Sequence, residues 1–215
     1  MRSPFDPSFP LSSSAGSASR YAVRWVAVLA IGWLAGCAIS PPTPSGDQTA
    51  WMARQKELAR LDHWQAVGRI GVVNGQDGWH ANFQWNQQEP DYRIDLIGPL
   101  GQGRVLIQGN GRQVSLQTQD GRNQTAPDPD TLLEQSLGVR LPVDGLRYWI
   151  RGLPGPGPIT ALQVDGSGRL TRLEQQGWTI DYPAYAPAPS RELPARITAR
   201  RQDVSVKLVI EQWTL

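Results

Sequence analysis

Val67-Gly68-Arg69-Ile70-Gly71-Val72-Val73-Asn74-Gly75, followed by Trp79-His80-Ala81-Asn82-Phe83-Gln84-Trp85, is the stretch from which the fold can be read. In its second half Trp79, Ala81, Phe83 and Trp85 alternate with His80, Asn82 and Gln84. That period of two belongs to a strand with one apolar face. An Asn-Gly pair between two such runs is a strong short-range hairpin signal. The alternation continues downstream, with Tyr92, Ile94 and Leu96 set against Arg93 and Asp95. Two further strands follow at Arg104–Gln108 and Gln113–Thr118, joined through Gly109-Asn110-Gly111. The segment reads as an antiparallel meander, apolar on one face and polar on the other.

Upstream, Asp47 to Leu61 reads as a helix, with Trp51, Leu58 and Leu61 on one face. Downstream the strand rhythm breaks. Asp128 is suited to cap a helix that starts with Pro129 and carries Leu132, Leu133 and Leu137 up to Gly138. Leu141-Pro142 leads a second short helix holding Leu146, Trp149 and Ile150. A loop, Leu153-Pro154-Gly155-Pro156-Gly157-Pro158, comes next. Strands resume at Ile159–Val164, Arg169–Gln175 and Trp178–Tyr182. A proline-rich loop is expected from Pro183 to Pro189, then strands at Ala195–Arg200 and from Val204 to Trp213. The chain is therefore expected to be mainly β with inserted helices. About ten or eleven strands form a strongly curved, half-open antiparallel barrel, with short helices after the sixth strand covering its apolar concavity. Three Gly-x-Gly-Arg segments, at Gly101, Gly109 and Gly166, read as turns. A phosphate loop would have to open a helix, and strand-like sequence follows each one.

The first 36 residues have a different character. Arg2, Arg20 and Arg24 precede ten uncharged residues, Trp25–Leu34, and then Ala35-Gly36-Cys37. Ten apolar residues are too few for a comfortable transmembrane helix, which needs about 20, but they suit the core of a signal peptide. Pro41-Pro42-Thr43-Pro44-Ser45-Gly46 cannot continue a helix and suits a tether. The expected organisation is a signal peptide at 1–36, Cys37 with a flexible tether at 37–47, and one domain at 48–215. Removing Arg2, Arg20, Arg24 and Asp6 takes the formal net charge from +2 to zero, so no nucleic-acid surface is indicated. The single cysteine allows no intrachain disulfide.

Catalytic chemistry is hard to assemble. A zinc site needs three or four ligands, whereas the chain has two histidines, His63 and His80, and neither has a partner at helical spacing. No Gly-x-Ser-x-Gly elbow is present. The expectation is a protein without metal, cofactor or enzymatic activity. From the residues alone an anchored lipid-binding protein, an envelope hydrolase and a scaffold all remain open.

Leu34-Ala35-Gly36-Cys37 resembles the lipobox of bacterial lipoproteins, in which the cysteine is acylated and becomes the first residue. Beyond it, Trp64-Gln65-Ala66-Val67-Gly68-Arg69-Ile70, Phe83-Gln84-Trp85 and the run from Tyr92 through Gly98-Pro99-Leu100-Gly101 resemble the LolB family of outer-membrane lipoprotein receptors. So do Leu141-Pro142, the run from Leu146 to Pro154, and Gly177-Trp178 with Tyr182 and Tyr185. The resemblance covers Leu61 to Trp213. The chain departs from the family in its long N-terminal lead and in the proline- and glycine-rich loop after Leu153.

The resemblance implies a half-open barrel of LolA/LolB type that takes acylated lipoproteins from a periplasmic, LolA-like carrier and transfers them to the outer membrane. It also implies lipidation of Cys37 and a monomer facing the periplasm. Ala38, which is not aspartate, fits outer-membrane placement. Candidate residues for lining an acyl-chain cavity are Phe83, Trp85, Ile94, Leu96, Leu133, Leu137, Trp149, Leu208 and Ile210. Leu100, a bulky apolar residue at a turn tip, has no stabilising reason to be exposed. By resemblance it is the membrane-delivery residue. The alternative is a related lipid- or glycolipid-binding envelope lipoprotein without transfer activity.

Overall fold

The hairpin is present: β1 (His63–Asn74) and β2 (Asp77–Gln88) pair in unbroken register from His63↔Gln88 to Asn74↔Asp77. The computed structural model describes residues 46–137 and 142–215. The expected signal segment, Cys37 and most of the tether lie outside the described residues, as does the side chain of Leu137. The meander continues through β3 (Asp91–Ile97), β4 (Arg104–Gly109), β5 (Val114–Thr118) and β6 (Asn123–Ala126). Helices α2 (Pro129–Leu137) and α3 (Val143–Trp149) follow the sixth strand, where the sequence placed them. The chain then returns as β7 (Ile159–Val164), β8 (Leu170–Gln175), β9 (Trp178–Ala188), β10 (Arg191–Arg201) and β11 (Val204–Thr214).

These strands form one open sheet of eleven, ordered β6-β5-β4-β3-β2-β1-β11-β10-β9-β8-β7. Every neighbour pair is antiparallel, and the first and last strands meet at its centre. The two edges, β6 and β7, are consecutive strands in the chain, and the segment joining them holds α2 and α3. Consequently the helices bridge the side on which a closed barrel would be sealed. The three Gly-x-Gly-Arg segments lie between β3 and β4, between β4 and β5, and between β7 and β8, as hairpin connections.

One face of the sheet carries a continuous apolar core running from Trp51 to Trp213. Trp64 anchors its middle, with ring centroids 5.3 Å from Trp85 on β2 and 5.6 Å from Trp213 on β11. Such tilted pairs contribute beyond their buried area. Among the described residues, every buried core residue falls within the compact unit Pro41–Leu215.

Helix α1 (Gln48–Leu58) starts at Asp47, whose Oδ1 accepts from the amides of Thr49 and Ala50, both at 3.0 Å. It ends at Leu58, three residues earlier than the apolar face suggested, and Ala59–Leu61 form a turn. Trp51 and Leu58 are buried. The helix seats against the β7–β8 connection, where a Cβ on Gly168 would strike the backbone of Ala50 and Trp51.

The loop expected at Pro183–Pro189 is instead strand as far as Ala188, and Pro189 with Ser190 makes the turn of the β9–β10 hairpin. β8 pairs with β9 only as far as Asp181, so beyond that point β9 has a neighbour on one side alone. Proline, lacking an N–H, is tolerated on such an open edge. Pro194 of β10 similarly lies beyond the reach of the β11 ladder, which begins at Arg196. Its carbonyl accepts from the Trp213 indole at 3.1 Å. Strand β6 has no apolar alternation, and sequence periodicity gave it no boundaries.

Candidate functional site

The apolar faces of β1 to β4 and β11 curve around a cavity roofed by the two bridging helices. Six of the residues singled out from sequence line it: Phe83, Trp85, Ile94, Leu96, Leu133 and Leu208. Ile70, Trp79, Ile107, Val143 and Leu146 also contribute. The register explains two of these additions, since Ile70 pairs with Leu208 and Ile107 with Ile94 across adjacent ladders. Cross-strand neighbours share a face, so pairing the strands on paper would have found them. Val143 and Leu146 lie on α3, whose alignment over the sheet has no periodic signature.

Two of the sequence candidates sit elsewhere. Trp149 is fully buried outside this lining, donating its indole N–H to Gln175 Oε1 at 2.9 Å and packing 6.1 Å from Trp178. Ile210 is buried on β11, one inward position beyond Leu208, and does not border the cavity. The reason is geometric: alternation selects the inward face but does not separate its packed part from its hollow part.

The roof is tied together and to the rest of the domain. Asp128 caps α2, accepting from the Thr131 amide at 3.0 Å. Asp130 Oδ1 accepts from the amide of Val143 at 3.0 Å and so fastens α3 to α2. At the far end of α3, buried Arg151 donates to the carbonyls of Leu61 at 2.8 Å and Leu58 at 3.4 Å. Burial lowers the pKa of this guanidinium. Tyr92 lies beneath the roof with its ring against Gly109 of the neighbouring strand, where any side chain would collide with it. Its phenol is pushed well up, chiefly by burial.

The cavity measures about 40 Å³, room for no more than a few water-sized bodies. Beside it lies a wider groove of about 300 Å³, bordered by Trp79, Ala81, Leu96, Gly98, Pro99 and Val105. Trp79 and Leu96 border both spaces, so the groove leads from the cavity wall to the β3–β4 connection.

That connection presents Leu100. Its side chain is 98% exposed, far more than any other large apolar residue among those described. Its backbone sits in the left-handed region (φ 57°, ψ 21°), where a leucine is strained. The loop is pinched by the Gly98 amide donating to the Gly103 carbonyl at 3.0 Å. Leu100 does not fold back on the sheet.

On the outer face, Asp95 receives Arg104 in a two-pronged pair, with Nε at 2.7 Å from Oδ1 and Nη2 bonded to Oδ2. The Arg104 hydrogen bond is the main cause that holds the Asp95 carboxyl below its usual range. His63 and His80 are exposed. Among the described residues no group of three His, Cys, Asp or Glu side chains could hold a metal ion, and no helix is long and apolar enough to cross a membrane.

An open antiparallel sheet thus curls around a small apolar hollow, roofed by short helices and edged by an exposed leucine. The chain belongs to the LolB family: the family described as outer membrane lipoprotein LolB matches residues 62–213. The outer-membrane lipoprotein LolB of Pseudomonas paraeruginosa is 38% identical over 193 residues, covering 88% of this chain and 94% of that protein. The protein of the same name from Stutzerimonas stutzeri is 39% identical over 184 residues, covering 84% and 89%. Among solved structures, the LolA superfamily protein NE2245 from Nitrosomonas europaea superposes with a TM-score of 0.51 at 11% identity, covering 78% of this chain and 92% of that one. That likeness establishes a shared fold.

Proposed function

We propose that the protein is an outer-membrane lipoprotein receptor, which accepts acylated lipoproteins from a soluble LolA-like carrier in the periplasm and releases them into the outer membrane. The observation that carries this reading is the pairing of a wholly apolar, helix-roofed cavity with a fully exposed leucine on the adjoining loop. Membership of the LolB family supports it.

Each methylene removed from water is worth about 0.8 kcal/mol. An acyl chain therefore moves between carrier, cavity and bilayer without a nucleotide, provided the cavity binds it more tightly than the carrier and less tightly than the membrane. The reaction is a transfer between apolar hosts, so it calls on no catalytic group. Because the cavity is nearly closed, the chain enters by displacing α2 and α3 from the sheet. Cys37 supplies the anchor through its own acyl groups, and the domain works as a monomer at the end of the tether.

The unit 41–215, made without Cys37, tests this directly. It is mixed with a carrier loaded with an acylated lipoprotein, and the cargo is followed by gel filtration. Movement of cargo to the domain is expected. Cargo that stays on the carrier while the domain is folded would overturn the proposal. Free lipids or glycolipids extracted from the purified domain, without lipoprotein uptake, would favour the related lipid-binding function.

A further inference from the structure

Among the described residues that line the cavity, two have a side chain with a polar atom, Trp79 and Trp85. Their indole N–H groups are in different states. Trp85 donates to Gln87 Oε1 at 3.1 Å, and Gln87 in turn donates to the Asp91 carbonyl at 3.2 Å. The Trp79 Nε1 is buried from solvent and has no acceptor among the described residues. A buried donor without a partner is destabilising, and such orphans in folded proteins call for an explanation. A phenylalanine here would give the same apolar wall without that cost.

The position of Trp79 suggests what the donor is for. It borders both the closed cavity and the groove that leads to the Leu100 loop. Any chain lodged in the cavity with its head towards that loop passes Trp79 at the junction. The two acyl chains on the glyceryl group of a lipoprotein's cysteine are joined through esters, so a carbonyl oxygen lies where hydrocarbon gives way to the polar head. A carbonyl accepts a hydrogen bond that a methylene cannot.

We propose that Trp79 is a cargo-positioning residue, whose indole N–H, left without an acceptor among the described residues, donates to an ester carbonyl of the bound lipoprotein's acyl linkage. This inference rests on the acyl-chain reading above. It fixes the depth of the cargo: tails towards Trp85 and Ile107, head beside the loop carrying Leu100. A cavity that recognised hydrocarbon alone would let the chains slide and would hold free alkanes equally well.

The test compares two soluble probes on the unit 41–215: a dipeptide bearing S-(2,3-dipalmitoyloxypropyl)cysteine, and its dihexadecyl ether analogue, which lacks both ester carbonyls. The native domain is expected to prefer the ester probe about three- to tenfold, the range for one hydrogen bond. Trp79→Phe should abolish that preference, so that the variant binds the ester and ether probes equally. Should Trp79→Phe fold poorly, the indole proton resonance of Trp79 in the native domain gives the same answer. It should move downfield with the ester probe and stay put with the ether probe. Equal affinity of the native domain for both probes, or an ester preference that survives Trp79→Phe, overturns the role of Trp79 and leaves the acyl cavity standing. Failure of the folded native domain to bind either probe overturns the acyl cavity itself.

Discussion

The Gly98 amide donates to the Gly103 carbonyl at 3.0 Å across the base of the loop that holds Leu100 in the open, and inside it the amides of Gly101 and Gln102 donate to the carbonyls of Gly98 at 3.2 Å and Pro99 at 3.1 Å. Gly98 is not needed for its backbone angles, since φ −63° and ψ 170° suit any residue. It is needed for space, because a Cβ there would strike the carbonyl oxygen of Gln102. Gly98→Val should spring the loop and scatter the position of Leu100. The expected result is impaired delivery of cargo to membranes with uptake from the carrier unchanged, measured by comparing the two steps separately. A variant that delivers normally would show that the loop's shape is immaterial.

Leu100 itself sits in strained backbone and makes no apolar contact that would repay it. Leu100→Gly should therefore raise stability by about 1 kcal/mol, or about 2–4 °C in melting temperature for a domain of this size. The same substitution should reduce delivery, and Leu100→Glu should reduce it further, because a charge opposes entry into the hydrocarbon layer. Thermal melts and vesicle-incorporation assays read the two effects independently. A gain in stability with loss of function is the signature of a residue retained for activity.

How much of this was open to a reader of the sequence follows from the physics of each element. The alternation in β2 and β3 is visible because one face is buried and the other wet. The Leu100 tip is visible because a bulky apolar residue there contradicts its flanking proline and glycine. The strands through Pro183 and Pro187 in β9 and through Pro194 in β10 are not visible, because their prolines are tolerated only where neighbouring strands stop short, and that is a property of the assembled sheet. The same holds inside the concavity. Ile210 and Leu208 are indistinguishable in sequence, yet only Leu208 borders the hollow.

Gln175 is buried at the base of the loop after α3, where it replaces missing backbone partners. Its Oε1 accepts from the Trp149 indole and the Gly155 amide, both at 2.9 Å. Its Nε2 donates to the carbonyls of Gly155 at 2.7 Å and Gly157 at 3.2 Å. Gln175→Met keeps the volume and removes every bond. Leaving those groups unsatisfied should cost roughly 2–4 kcal/mol, measured by urea unfolding. Because Gln175 lies outside the cavity lining, the folded variant should bind acyl probes normally.

Asp95 offers a test on the opposite face of the sheet. Its pKa is lowered, mainly by the Arg104 hydrogen bond. A carboxyl whose folded pKa lies below its unfolded value binds fewer protons when folded, so it favours folding at neutral pH. That contribution is complete above the unfolded value, about 3.9 for aspartate, and fades as pH falls through the lower folded value. Asp95→Asn removes the titration and the ion pair together. The stability difference between native and variant should therefore be constant from about pH 7 to about pH 5 and shrink below about pH 4. Denaturant midpoints across that range measure it, and a difference that stayed flat into acid would mean the pair with Arg104 contributes nothing to folding. Arg104 and Asp95 lie at the strand ends that frame the Leu100 loop, with Ile97 paired directly to Arg104. The same substitution should thus leave uptake intact, and any change in delivery would mark this ion pair as part of the loop's support.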